Sequence, residues 1–177
     1  MRNRQCEFVH TNVRPSNYKS HREGGDNNCG DCTTRAMTYC LKGSMTYEEI
    51  EAEQYRIAER QGRVRNATGV WDKVMTTRGF SWVQLNDLKS RANVANWLSS
   101  VESPMVTISR THACAVEKGK IYDTWDSRGG RVFGVLVKNE EVKKVANILL
   151  SHNIDCELVD VPKHQVNHRR RRYSNWW

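Results

Sequence analysis

The chain has 177 residues, a length typical of one compact domain with or without a tail, and a two-domain enzyme is a poor interpretation of it. Its 38% hydrophobic and 27% charged content argues against bulk disorder. No stretch approaches the roughly 18 apolar residues of a membrane span, and the basic N-terminus lacks the apolar segment of a secretory signal. We therefore expect a cytoplasmic protein whose six cysteines serve catalysis, metal binding or burial rather than disulfides.

The net charge of +8 is concentrated at the C-terminus. Residues 162–177 hold no acidic residue and five basic ones: Lys163, Arg169, Arg170, Arg171 and Arg172. Aromatic residues follow the arginine run: Tyr173, Trp176 and Trp177. We interpret this segment as a basic flexible tail. Phosphate contacts by the arginines and base stacking on the aromatic rings make nucleic acid a candidate partner. The alternative is a solvated terminus with no partner.

The first half of the chain is predicted to be mainly helical. Residues 1–28 lack a sustained period, are rich in turn formers, and are predicted as an extended N-terminal arm. Amphipathic spacing and capping residues predict four helices: one from Asp31 or Cys32 to Gly43, one from the Thr46–Glu49 capping box to about Arg60, one over 69–78 and one over 92–101. A strand over 82–85 would separate the last two.

After Pro104 the pattern changes from helical to alternating. Strands are predicted over five short ranges: 104–109, 112–116, 120–125, 131–137 and 156–161. A further helix over 140–152 is capped by Asn139. Helices followed by a meander indicate an α+β class, with residues 29–161 as the single domain.

Cys32 is the candidate nucleophile, because it is predicted in the first turn of a helix. A thiol attacks an acyl carbon as the thiolate, and the free N–H groups and dipole at a helix N-terminus lower the pKa of a thiol there. The neighbours of Cys32 are small and polar. Cys40 and Cys114 instead lie on apolar faces and fit the usual role of cysteine in packing.

A thiol nucleophile needs a base, and His112 opens a strand in the second half of the chain. If the hairpin turn is centred at 118–119, His112 faces Trp125, and Asp123 is its diagonal neighbour on the same face. Asp126, three residues after Asp123, is predicted on the opposite face of the strand. The pattern therefore favours Asp123 as the acid that orients the imidazole, with Trp125 shielding their hydrogen bond from water.

Three segments resemble motifs of the papain-like cysteine peptidases. The run Cys29-Gly30-Asp31-Cys32 is similar to their C-G-S-C, whose last cysteine is the nucleophile. The strand HACAV, which begins at His112, is similar to their H-A-V-A-V, and DTWD is similar to their N-S-W-G, with Asp123 at the position of the Asn. The variant motifs also resemble small papain-like proteins encoded by bacteriophages, which implies the host cytoplasm as the compartment.

The resemblance implies a papain-like α+β fold, with N-terminal helices packed on a C-terminal antiparallel sheet or half-barrel. It implies a thiol peptidase, amidase or acyltransferase that cleaves a peptide, isopeptide or amide bond in a protein or peptide and needs no cofactor. The peptidases have an oxyanion-stabilising Gln six residues before the nucleophile, where this chain has Asp26. We therefore expect the amide of Asn27 or Asn28, with the Cys32 N–H, to stabilise the oxyanion. An Asp as third member is also similar to transglutaminases and bacteriocin leader peptidases, so transfer to an amine stays open beside hydrolysis.

Two other classes remain as alternatives. One is an inactive papain-like or basic nucleic-acid-binding module. The other is a zinc-stabilised structural protein, since Cys29 and Cys32 form a C-x-x-C, although the sequence has no second pair to complete such a site. Arg35, one turn into the first helix, is interpreted as a structural partner of an acid or a carbonyl.

Overall fold

The protein is described from a computed structural model that covers residues 6–18 and 30–160. Its strands are Glu7–His10 (β1), Phe80–Ser90 (β2), Met105–Ser109 (β3), Ala113–Glu117 (β4), Lys120–Asp123 (β5), Arg131–Lys138 (β6) and Cys156–Val159 (β7). Its helices are Cys32–Cys40 (α1), Tyr47–Gln61 (α2), Trp71–Thr76 (α3), Arg91–Trp97 (α4) and Val142–Ser151 (α5), the last preceded by a 3-10 turn, Asn139–Glu141.

The strands form one seven-stranded sheet in the order β1-β5-β4-β3-β6-β2-β7. The α+β class is confirmed, but the sheet is mixed rather than purely antiparallel, because β1 pairs in parallel with β5. β1 lies within the segment predicted as an extended arm, and its pairing places residues 7–10 at the edge of the sheet beside β5. β2 is longer than predicted, and its pairing with β6 shifts register between Gln84 and Lys89.

Helices cover both faces of the sheet, and β1 and β2 come from the first half of the chain, so the expectation of N-terminal helices packed on a C-terminal sheet is only partly correct. α1, α2 and α3 bury one face around Met37, Trp71 and Trp82. α4 and α5 bury the other around Leu98 and Leu149. A sheet covered on both faces has nearly continuous apolar strands, which explains why β3, β4 and β6 are buried along most of their length.

The β4–β5 hairpin has the register that the sequence predicts. Ala115 pairs with Tyr122, and the turn is centred between Lys118 and Gly119. Both turn residues have positive φ, 49° and 79°, as the tight two-residue turn that matches strand twist requires. This register fixes which residues of the two strands meet at the end distant from the turn, where His112 and Asp123 lie.

The predicted capping box begins α2. The Glu49 N–H donates to Thr46 Oγ1 at 3.3 Å, and the Thr46 N–H donates to Glu49 Oε2 at 2.8 Å. Replacing Thr46 by Ala removes the first bond, and we expect the free energy of unfolding to fall by about 1 kcal/mol. Urea unfolding followed by circular dichroism measures this change. Thr46→Ser keeps the hydroxyl and is the matched control; an equal loss in both variants would contradict the capping role.

Candidate active site

Cys32 is the first residue of α1 and is partly exposed. Asp31 occupies the N-cap position, but its side chain makes no capping hydrogen bond to the helix. The positive end of the helix dipole therefore lies next to the Cys32 thiol. Behind the thiol, Ala36 and Met37 are buried in the core that α1 shares with Ala113 of β4. This packing holds the start of α1 against the end of β4.

The Cys32 thiol lies near the His112 side chain, and each group shifts the pKa of the other. Burial raises the pKa of Cys32, but the neighbouring His112, with the Ala113 backbone and the charge of Arg35, outweighs burial and leaves this pKa below its ordinary value. Burial conversely lowers the pKa of His112, but the hydrogen bond that its ring donates to Asp123 and the influence of Cys32 outweigh burial, and the pKa is raised. The two shifts together favour a thiolate beside an imidazolium.

Asp123 lies on the other side of the imidazole. His112 Nε2 is 2.5 Å from Asp123 Oδ2, and the Asp123 side chain is 1% exposed. Since Nε2 is occupied by this bond, Nδ1 is the ring nitrogen left for the Cys32 thiol. Burial raises the pKa of Asp123, but the hydrogen bond and charge of His112 prevail and lower it to about 2. The carboxylate is therefore ionised at neutral pH and able to orient the imidazole.

The backbone at both residues is held in place. The His112 carbonyl accepts hydrogen bonds from the Ser109 N–H at 2.9 Å, from Ser109 Oγ at 3.0 Å and from Arg91 Nη2 at 3.2 Å. The Asp123 carbonyl accepts from the Thr11 N–H at 2.7 Å, just beyond β1. Separate parts of the chain thus brace the two ends of the His–Asp pair.

Trp125 lies beside His112 and Asp126 lies away from it, as the alternation of side chains along the strand predicts. The Trp125 ring is 4.7 Å from the His112 ring, centroid to centroid, and is 53% exposed. Asp126 is exposed and paired with Arg128 at 2.7 Å. Trp125 therefore covers one side of the imidazole and presents its outer side to solvent. A cavity of about 10 Å³ adjoins Cys32 and has room for about one water.

A buried polar network supports the first turn of α1, and the sequence analysis did not identify it. Thr33 Oγ1 donates to Asn66 Oδ1 at 2.8 Å, and the Asn66 amide donates to the Gly30 carbonyl. Thr34 Oγ1 donates to the fully buried Gln54 at 2.7 Å. The partners of the two threonines come from α2 and from the loop after it. The adjacent Thr33 and Thr34 were a usable signal, because buried hydroxyls need partners.

Arg35 extends this polar environment to Asp123. Its Nη1 donates to Asp123 Oδ1 at 2.8 Å and to Thr124 Oγ1 at 2.8 Å. The interpretation of Arg35 as the partner of an acid is confirmed, and the acid is the one that also bonds His112. Asp31, the N-cap residue of α1, pairs with Arg35 in turn, at 3.1 Å.

Other candidate residues lie outside the described part of the chain: Asn27, Asn28, Cys29, Arg169, Arg170, Arg171 and Arg172. The oxyanion donors, the C-x-x-C pair and the nucleic-acid-binding tail therefore stay predictions. Within residues 6–18 and 30–160, no cluster of three or more His, Cys, Asp or Glu side chains is arranged to hold a metal ion. The five cysteines of these ranges are all free. No helix in the described ranges is long and apolar enough to cross a membrane.

Comparison with known proteins finds no match for this chain among protein-family models, curated proteins or solved structures.

Proposed function

We propose that this chain is a cysteine-dependent acyl hydrolase or acyltransferase that acts on a peptide, isopeptide or amide bond of a protein or peptide. The supporting observation is the grouping of Cys32, His112 and Asp123 at one place, where His112 is hydrogen-bonded to Asp123 and lies close enough to Cys32 for each to shift the pKa of the other. These residues come from the start of α1 and from the adjacent ends of β4 and β5. Nucleophilic catalysis needs a partly exposed thiol with a lowered pKa beside an imidazole with a raised pKa.

The chemistry follows from the positions of the protons. The Cys32 sulfur attacks the carbonyl carbon, and a C–S bond forms as the carbonyl oxygen becomes an oxyanion. The Cys32 N–H at the start of α1 is one donor available to that oxyanion. His112 then gives its proton to the leaving amine as the C–N bond breaks, which leaves a thioester on Cys32. His112 next takes a proton from water or an acceptor amine as that nucleophile attacks the thioester carbon. The C–S bond then breaks, which releases the acyl group and restores the Cys32 thiolate beside the protonated His112.

We further propose a papain-like arrangement of this α+β fold. The order of the three residues along the chain, the packing of α1 against β4 and the motif resemblance support it. Relation to the small bacteriophage proteins and action in a host cytoplasm belong to the same proposal, and they depend on the resemblance alone.

Selective alkylation tests the proposal without a known substrate. We expect iodoacetamide at pH 6 to modify Cys32 at least about tenfold faster than Cys156, measured by peptide mass spectrometry, because the thiolate is the reactive form. Cys156 is an internal reference, since it is also partly exposed and burial raises its pKa. In His112→Ala we expect this advantage to disappear.

Two outcomes would count against the enzyme. Equal modification of Cys32 in the wild type and in His112→Ala would show that the imidazole does not activate the thiol. A Cys32 that reacts no faster than Cys156 in the folded protein would favour the inactive binding module. Cys32→Ala identifies any signal that arises elsewhere, and its unchanged circular dichroism spectrum would show that the thiol is not needed for folding.

A further inference from the structure

The charged side chains around the candidate site alternate in sign. Starting from the N-terminal segment, Arg14 pairs with Asp31, Asp31 with Arg35, and Arg35 with Asp123, which bonds His112. His112 in turn lies near the Cys32 thiol and shifts its pKa. The row therefore begins at the segment after β1 and ends at the candidate nucleophile. Arg35 occupies the middle of this row, between the two carboxylates.

The guanidinium of Arg35 is held in one orientation by acceptors on three sides. Its Nε donates to Asp31 Oδ1 at 3.1 Å, while its Nη1 donates to Asp123 Oδ1 and Thr124 Oγ1, both at 2.8 Å. The Arg35 side chain is 10% exposed. The Thr124 N–H also donates to Asp123 Oδ1 at 2.8 Å. These donors hold one oxygen of the Asp123 carboxylate and direct the other, Oδ2, toward His112.

We propose that Arg35 is a positioning residue of the active site, which fixes the rotation of the Asp123 carboxylate and sets the pH range over which the Cys32–His112 ion pair exists. This inference rests on the proposed function and deepens it. Arg35 acts through Asp123, which it holds, and through its own positive charge near Cys32. The structural interpretation of Arg35 covers only the first of these effects.

The charge of Arg35 acts on every titrating group of the site. A cation stabilises the ionised forms of Asp123 and of Cys32, and it opposes a positive charge on His112. Burial is the largest influence on the pKa values of both Cys32 and Asp123, and Arg35 lowers each of them. Removing the cation is therefore expected to raise both the pKa of the thiol and the pKa of the imidazole.

Asp31 limits this effect, because it compensates the charge of Arg35. Its carboxylate is held by Arg14 from the N-terminal segment and by the Tyr47 hydroxyl of α2 at 3.1 Å. From the β4 side, the buried Arg91 faces the His112 carbonyl. The exposed Asp126–Arg128 pair lies beyond Asp123. Arg35 contacts the Asp123 carboxylate directly, whereas Arg14 contacts Asp31 and Arg91 contacts the His112 carbonyl.

The test is the pH–rate profile for alkylation of Cys32 by iodoacetamide, read by peptide mass spectrometry. In the wild type we expect two apparent pKa values, one for formation of the ion pair and one for loss of the imidazolium proton. In Arg35→Gln we expect both to rise by about one pH unit, the effect of removing one charge at this range. In Arg35→Lys, which keeps the charge, both stay near the wild-type values while the rate falls, because lysine cannot reproduce the fork.

Asp31→Asn tests the same inference with the opposite sign and serves if Arg35→Gln does not fold. An uncompensated Arg35 is expected to lower both apparent pKa values. Arg131→Gln removes an exposed arginine that donates to the Leu88 carbonyl, outside this row, and is the control, with both values unchanged. Unshifted values in Arg35→Gln, or in Asp31→Asn where the former does not fold, overturn this inference. A wild-type profile that does not depend on His112 instead refutes the proposed function, so the two failures are distinguishable.

Discussion

Replacing Asp123 by Asn is expected to slow the alkylation of Cys32 at pH 6 by about 10- to 100-fold, because each unit of pKa is a tenfold change in the thiolate fraction below the pKa. The carboxylate is the neighbour that raises the pKa of the His112 imidazole against its burial. With an uncharged amide in its place, burial prevails and the imidazole loses its proton more easily. The ion pair with Cys32 then breaks down, and the pKa of the thiol rises.

Asp126→Asn is the matched control for this substitution. It removes a carboxylate three residues away that is exposed and paired with Arg128, so we expect the alkylation rate to stay at the wild-type value. Equal rates in Asp123→Asn and the wild type would contradict the role of the buried carboxylate. Equal reductions in both variants would indicate that the total negative charge of this segment, and not the contact between Asp123 and His112, controls the reactivity of Cys32.

The dependence of stability on pH gives a second measurement of Asp123. Its pKa of about 2 lies below the ordinary value of 3.8, so the carboxylate stabilises the folded state at pH above 3.8. This contribution is lost as the pH falls toward 2. Asp123→Asn has no such group. We therefore expect the difference in unfolding free energy between the wild type and Asp123→Asn to shrink from pH 5 to pH 2.

The parts of the site that local sequence patterns control were predictable. A two-residue turn at 118–119 determines the register of β4 and β5, and this register brings Asp123 to the same strand end as His112. The start of α1 at Cys32 follows from the apolar spacing after Asp31. Both inferences use the geometry of one hairpin or one helix. That Cys32 meets His112 followed only from the motif resemblance, because it joins elements 80 residues apart.

The remaining features depend on contacts that no local pattern encodes. The parallel pairing of β1 with β5 joins distant segments, and β1 has too few residues to give a clear alternation. The amphipathic faces of α4 and α5 predicted burial but not the side of the sheet that they cover. The position of Arg35 between two carboxylates required the fold, since a polar residue on a helix is usually solvated. Arg91 is a second arginine whose burial required the fold, and its side chain is fully buried.

Replacing Arg91 by Met is expected to lower the free energy of unfolding by about 3 kcal/mol. The side chain is 0% exposed, and its three nitrogens donate to Thr107 Oγ1 at 3.1 Å, to the Ser127 carbonyl at 2.8 Å and to the His112 carbonyl at 3.2 Å. Methionine fills much of the volume but removes one donor from each of these acceptors, and the His112 carbonyl keeps only its bonds from Ser109. The cost of burying the guanidinium is recovered in the variant, which keeps the expected loss below the sum for three separate bonds.

Two further variants show whether the fork or the charge of Arg91 matters. Arg91→Lys keeps the charge but can reach only part of the acceptor set, so we expect it to recover less than half of the lost stability. Arg128→Met removes a partly exposed arginine from the same region and is expected to change the urea midpoint much less than Arg91→Met does. If Arg91→Met proved as stable as the wild type, the guanidinium would not be the support of the His112 backbone. If it is destabilised but folded, slower alkylation of Cys32 is expected, since the loosened carbonyl belongs to the residue that activates the thiol.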